Sequence, residues 1–242
     1  MKLHICDNKS SAEKACAEIF IKHLQSNPKA NLGLATGGTP VIVYNFLVKA
    51  FHFSQISFRH IKTFNLDEYL GIHALHAQSY RSFMKKHLFD HVDILPLNCF
   101  FPCEEINYDE AIKLNGGIDI QLLGLGTNGH IAFNEPGSSF DSSTRKVKLS
   151  DQTLRDNKRF FQAGEFQPDT AISMGIKSII NAKEIIMLVT GEHKAKALQQ
   201  LIEGNITEKF PASILQAHSN ITIVADLNAA SLLSETAELI GC

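Results

Sequence analysis

Residues 31–52 read NLGLATGGTPVIVYNFLVKAFH. The first five are short and apolar, as a buried strand is. Thr36-Gly37-Gly38-Thr39-Pro40 then breaks the run. Pro40 suits the first position of a helix, with Thr39 as its N-cap. Residues 41–51 are apolar enough for a mostly buried helix. The same phrase of strand, turn and helix recurs along the chain. Residues 61–66 (IKTFNL) read as a strand ended by Asp67-Glu68-Tyr69, and residues 118–123 (IDIQLL) as one closed by Gly124-Leu125-Gly126. Residues 185–189 form another, followed by Thr190-Gly191 and a helix through Glu203; residues 221–225 form a last one, ended by Asp226. Ser10 and Glu13 have capping-box spacing ahead of a helical stripe, Cys16, Ile19, Phe20, His23 and Leu24. Tyr80, Phe83, Met84, His87, Leu88 and His91 make a second stripe.

Strands alternating with helices predict an α/β fold: a single open, mostly parallel sheet with helices on both faces, Rossmann-like in architecture. No repeat or composition break marks a linker, so residues 1–242 are expected to form one α/β domain. Residues 134–169 are polar and poor in strand signal. A long irregular segment of this kind suits a functional loop, and a lid containing some helix is expected there.

Composition removes several classes of function. Apolar residues make up 44% and charged residues 20%, and the net charge is −2. That is ordinary globular composition. It carries no basic footprint for nucleic acid, and no apolar run reaches the roughly 18 residues of a membrane span. The start lacks a secretory pattern, so a cytoplasmic protein is expected. The five cysteines have no paired CxxC spacing and are expected to be reduced, structural thiols. Among eleven histidines, His73/His76 and His87/His91 have spacings that invite a metal. The second pair lacks the glutamate of HExxH, and both read as packing residues. No metal site is expected.

Open α/β sheets bind ligands beyond the carboxyl ends of their strands, and here those ends carry the unusual residues. Thr36–Thr39 could cradle a phosphate, with glycines admitting the ligand and a helix N-terminus offering N–H groups, or could be an ordinary strand–helix turn. It lacks the signatures of nucleotide and dinucleotide loops. Asp67 and Glu68 could supply a general base or a helix cap. Residues 124–136 (GLGTNGHIAFNEP) place His130 five residues before Glu135. A histidine oriented by a carboxylate is a usual proton-transfer pair near neutral pH. Arg159 and Lys194 are candidate phosphate partners, Lys194 because it falls at a strand's carboxyl end.

Together LGLATGGTP (32–40), TFNLDEY (63–69), GHIAFNEP (129–136), NKRFF (157–161) and TGEHKAKAL (190–198) resemble the glucosamine-6-phosphate deaminases, in order and spacing over nearly the whole chain. The resemblance implies a small-molecule substrate, glucosamine 6-phosphate, converted with water to fructose 6-phosphate and ammonia. By that resemblance Asp67 is the base that moves a proton between C2 and C1, His130 helps open the sugar ring, and Glu135 is its carboxylate partner. Thr36, Gly37, Gly38, Thr39, Arg159 and Lys194 match the phosphate-binding groups. No metal or organic cofactor, no nucleic acid and no membrane partner is implied.

Two positions depart from the pattern. Many members have Asp where this chain has Asn128, which leaves Glu135 as the carboxylate the motif supplies. Arg145 matches a basic residue of the allosteric site in larger members, but Val147 stands where a lysine is expected. Little activation, and a monomer or small homo-oligomer, is therefore expected. Two rival readings share this kind of fold. One is 6-phosphogluconolactonase, against which residues 133–136 (FNEP) and 67–69 (DEY) argue. The other is a non-catalytic sugar-phosphate-sensing domain, against which the presence of Asp67, His130 and Glu135 argues.

Overall fold

The computed structural model describes residues 1–158, 161–162, 164–234 and 240–241. In chain order the elements are β1 (Lys2–Cys6), α1 (Lys9–Ser26), β2 (Asn31–Leu34), α2 (Pro40–His52), β3 (Lys62–Asn65), β4 (Asp67–Tyr69), α3 (Tyr80–His87), β5 (Cys99–Phe100), α4 (Tyr108–Leu114) and β6 (Ile120–Gly124). There follow β7 (Arg145–Lys148), α5 (Asp151–Lys158), β8 (Thr170–Ser173), α6 (Ile176–Ile180), β9 (Glu184–Val189), α7 (Ala195–Glu203), β10 (Ile221–Asp226), α8 (Leu227–Ala230) and β11 (Ile240–Gly241).

The main sheet has eight strands in the order β11-β1-β10-β9-β6-β2-β3-β5. Every neighbouring pair in it is parallel. A parallel sheet is covered on both faces, so its strands are apolar on both. Along β9, Ile185, Met187 and Val189 join one core, while Ile186 and Leu188 join the other. α1, α2 and α3 close the second core through residues such as Phe20, Leu47 and Met84. α4, α6, α7 and α8 close the first through residues such as Ile112, Ile179, Leu201 and Ala229. No helix among the described residues is long and apolar enough to cross a membrane.

The expected open, parallel sheet with helices on both faces is present, and a smaller sheet is added to it. A second, three-stranded antiparallel sheet runs β4-β8-β7. Only Leu66 separates β3 from β4: its N–H donates to Leu34 O at 3.1 Å and its carbonyl accepts from Met174 N at 2.6 Å. The chain thereby leaves the parallel sheet and pairs with β8. β7 and the helix α5 lie inside 134–169, the segment with little strand signal. β7 reads RKVK, with an alternation of half-buried and exposed residues that charge conceals.

Local signals were also displaced. The N-cap of α1 is Asn8, whose side chain accepts from Ser11 N at 3.0 Å. Ser10 already lies within the helix, and Glu13 turns to the core beside Lys9. Thr39 holds the N-cap position of α2, but its helical backbone leaves the side chain without a capping bond. Cys6 is disulfide-bonded, so the expectation of reduced thiols fails there, while Cys16, Cys99 and Cys103 are free. The pairing of β11 sets Ile240 and Gly241 beside His4 and Ile5 of β1.

Glu68 shows how an acid serves this fold. Its Oε1 accepts from Tyr80 N at 2.8 Å and Tyr69 N at 2.9 Å, and its Oε2 accepts from Arg81 N at 2.9 Å. The carboxylate thus ties β4 to the first turn of α3, satisfying N–H groups that a helix start leaves open. Glu68→Gln presents an NH2 where one N–H already points. The variant is expected to lose about 1–3 kcal/mol, the cost of stranding a buried polar group. Urea unfolding is the measurement: the midpoint falls with the slope m unchanged, and an unmoved midpoint contradicts this role.

Candidate active site

The carboxyl ends of β2, β3, β6 and β9 open onto one cavity of about 650 Å³. Its walls include Thr36–Thr39 after β2, Asp67 after β3, residues 124–127 and His130 after β6, and His193 and Lys194 after β9. Asn128 and Glu135 stand one layer behind His130, reached through hydrogen bonds. Arg159 lies outside the described residues. Tyr80, Thr153, Arg155 and His193 also line the cavity and were not foreseen. Thr153 and Arg155 sit on α5, in the segment whose structure the sequence left open, and His193 lies within TGEHKAKAL, where only Lys194 was singled out.

Two buried tyrosines hold the strand ends that feed this cavity. Tyr44 donates to Ala35 O at 2.5 Å, directly before the Thr36–Thr39 turn. Tyr108 donates to Asn65 O at 2.9 Å and Phe100 O at 3.1 Å, just ahead of Asp67. Tyr80 shares hydrogen bonds with Tyr69 and Thr36, joining two of the walls.

The two adjacent acids divide their work by position. Glu68 is consumed by backbone N–H groups, as described above. Asp67 points into the cavity yet is only 6% exposed. Burial pushes its carboxyl up to about 8, with the neighbouring Glu68 charge adding to the effect. A carboxyl in this range exchanges a proton near neutral pH instead of remaining a fixed anion.

His130 belongs to a relay. Glu135 Oε2 accepts from Asn128 Nδ2 at 2.8 Å. Asn128 Oδ1 in turn lies 2.7 Å from His130 Nδ1 and accepts from the His130 backbone N–H at 3.2 Å. A carboxylate only accepts, so the amide must turn its NH2 to Glu135 and its oxygen to the imidazole. The hydrogen-bond network thereby assigns the proton to Nδ1 and the lone pair to Nε2. Glu135 is not the direct partner that the motif suggested: Oε2 is 3.9 Å from Nδ1, and Asn128 stands between them. Gly126 makes room for this arrangement, since a Cβ there would sit 2.4 Å from the His130 ring.

The other oxygen of Glu135 faces the segment that carries α5. Oε1 accepts from Ser150 Oγ at 3.0 Å and from the Thr153 hydroxyl. Burial alone would raise the Glu135 carboxyl; the bonds from Thr153 and Asn128, the nearby His130 and the Ser150 hydroxyl together bring it below its ordinary value. Next to it, buried Asn134 donates to Ile131 O at 3.0 Å and Met174 O at 2.9 Å, and accepts from Arg145 Nη1 at 2.9 Å. Arg145 therefore braces the turn that presents Glu135.

The remaining histidine pairs are placed apart from this site. His76 Nε2 is 3.1 Å from Glu165 Oε1. His87 packs on Phe83 with ring centroids 4.5 Å apart. His91 lies beyond α3 in a short turn, exposed and not on an apolar stripe, with its Nε2 2.8 Å from Lys86 O. Among the described residues, no group of three or more His, Cys, Asp or Glu side chains comes together as metal ligands would.

A family model described as glucosamine-6-phosphate isomerases/6-phosphogluconolactonase matches residues 7–224. The chain is 47% identical over 239 residues to glucosamine-6-phosphate deaminase of Mycoplasma mycoides subsp. mycoides SC, covering 97% of this chain and 98% of that protein. It is 47% identical over 240 residues to the deaminase of Hahella chejuensis, covering 96% and 92%. A solved structure described as a monomeric glucosamine-6-phosphate deaminase superposes with a TM-score of 0.91 at 41% identity, over 96% of this chain and 100% of that one. A 6-phosphogluconolactonase from Trypanosoma cruzi reaches a TM-score of 0.74 at 22% identity, over 96% and 97%, a likeness of fold alone.

Thr153→Val removes the hydroxyl that most lowers the Glu135 carboxyl. Losing a donor to the charged form raises a pKa. The Glu135 midpoint, followed by 13C NMR of the labelled carboxyl, is expected to move up, so that the carboxylate is lost at higher pH than in the parent. An unmoved or lower midpoint contradicts the arrangement.

Proposed function

The chain belongs to the family of glucosamine-6-phosphate isomerases and 6-phosphogluconolactonases, and within it we propose the deaminase reaction for the cavity described above: glucosamine 6-phosphate and water give fructose 6-phosphate and ammonia. The observation that carries this reading is the placement of Asp67 and His130 on the walls of one cavity, in a chain 47% identical to deaminases over nearly its whole length.

The residues suggest a division of labour. His130 Nε2, kept as an acceptor by the relay, takes the proton of the O1 hydroxyl and returns it to the ring oxygen, opening the pyranose. Asp67 as carboxylate takes the C2 proton and delivers it to C1; with one proton passing from the nitrogen to O1, the 2-amino aldose becomes its isomer, the 1-hydroxy 2-imine. Water adds to that C2 imine, and ammonia leaves to give the ketone. The phosphate does not react. Thr36–Thr39, Lys194 and Arg159 would hold it, and that binding orients the reacting end. The first N–H groups of α2 and the Lys194 ammonium suit a dianion. None of these steps calls on a metal or an organic cofactor.

Residues 134–169 fit the part of a lid, because Thr153 and Arg155 within them reach the cavity wall. A monomer or small homo-oligomer in the cytoplasm accords with the monomeric deaminase among the structural relatives. Little allosteric activation follows from Val147, and from an Arg145 already engaged with Asn134.

Purified protein should release ammonia and fructose 6-phosphate from glucosamine 6-phosphate, with negligible hydrolysis of 6-phosphogluconolactone. Asp67→Asn should lower kcat by about 10²–10⁴-fold, the range for a lost general base. The active form of Asp67 is the carboxylate, and burial raises its pKa. kcat/KM should therefore climb with pH and level off above about 8. Wild-type turnover in Asp67→Asn, or faster lactone hydrolysis than deamination, would overturn this reading.

A further inference from the structure

Asp226 ends β10 and is 1% exposed. Its Oδ1 accepts from Gly191 N at 2.9 Å and from Ala229 N at 2.8 Å, and its Oδ2 accepts from Gly191 N at 3.1 Å. Among the described residues no lysine, arginine or histidine forms an ion pair with it. A buried carboxylate held by backbone N–H groups alone is costly unless its bonds are well made. Two of the three run to a single residue on the neighbouring strand's turn.

That residue is the hinge of the Lys194 turn. Gly191 has φ +91, the left-handed region that favours glycine. Its N–H is fixed by Asp226, and its carbonyl accepts from Lys194 N at 3.0 Å. Both ends of the turn are therefore set before His193 and Lys194 reach the cavity. Asp226 itself does not line the cavity, because β10 lies on the far side of β9 from β6. The carboxylate also caps α8 through Ala229, which anchors it on an element remote from the reacting atoms.

We propose that Asp226 is a positioning residue for substrate: through Gly191 it aims the Lys194 turn, and it thereby sets affinity for the phosphate end of the sugar and not the rate of the chemical steps. This rests on the assignment of Lys194 as a phosphate-binding group. Interactions equal in the ground and transition states change KM with little effect on kcat.

The test uses the full chain and inorganic phosphate as a competitive inhibitor. In Asp226→Asn, KM and the phosphate Ki should rise together by about tenfold, the scale of one charge-assisted hydrogen bond, with kcat within about twofold. In a Lys194→Ala background the same substitution should change neither constant further, since residues acting through one another are not additive. A global loss of stability does not produce this pattern. If Asp226→Asn fails to fold, Gly191→Ala perturbs the turn from its other end and leaves the buried carboxylate in place; the same paired rise is expected. Unchanged KM and Ki, a fall in kcat alone, or a full effect in the Lys194→Ala background would overturn the role of Asp226. Lys194→Ala that leaves both constants unchanged would instead remove the Lys194 assignment, and this proposal with it.

Discussion

A carboxylate accepts hydrogen bonds and donates none, and this constraint propagates from Glu135 through the centre of the molecule. Glu135 turns the Asn128 amide, and Asn128 turns the His130 imidazole. Ser150 and Thr153 hold the opposite oxygen of the same carboxylate. One side chain thus links the tautomer of His130 to the segment that carries α5. The amide at position 128 transmits orientation without adding a charge beside the imidazole. That makes Glu135, with Oε2 3.9 Å from the ring nitrogen, the nearby source of negative charge that the relay itself supplies to an imidazolium.

The larger frame serves the same end by different physics. Parallel pairing sends every strand end of the main sheet to one rim, so four turns meet there without any being adjacent in sequence. Buried phenols fix two of those turns from below, through Ala35 O and Asn65 O. The second sheet grows from the same rim, where Asp67 begins β4 directly after β3. Asp67 therefore sits in backbone held from both sheets, and its burial raises its pKa.

Sequence made some of this legible and hid the rest for physical reasons. β2, β9 and β10 are buried on both faces, so their apolar runs could be read directly. β7 and β8 could not be: their pairing joins residues far apart in the chain, and RKVK reads as charge. Glycine and acid at strand ends located the cavity, yet nothing in DEY says which acid caps α3 and which faces the cavity. That distinction depends on which carboxylate reaches the N–H groups of Tyr80 and Arg81. The GHIAFNEP motif supplied His130 and Glu135, but the intervening role of Asn128 is a matter of side-chain direction. Thr153 and Arg155 reach the cavity from a helix in a segment where only some helix was expected.

The proton on the neutral His130 ring is observed directly by 15N NMR of the labelled protein. In the neutral form of His130 the relay predicts a protonated Nδ1 and a bare Nε2, with chemical shifts at the corresponding ends of the imidazole range. A neutral ring protonated at Nε2 would contradict the account, because the nitrogen assigned to the substrate's hydroxyl would then already carry a proton.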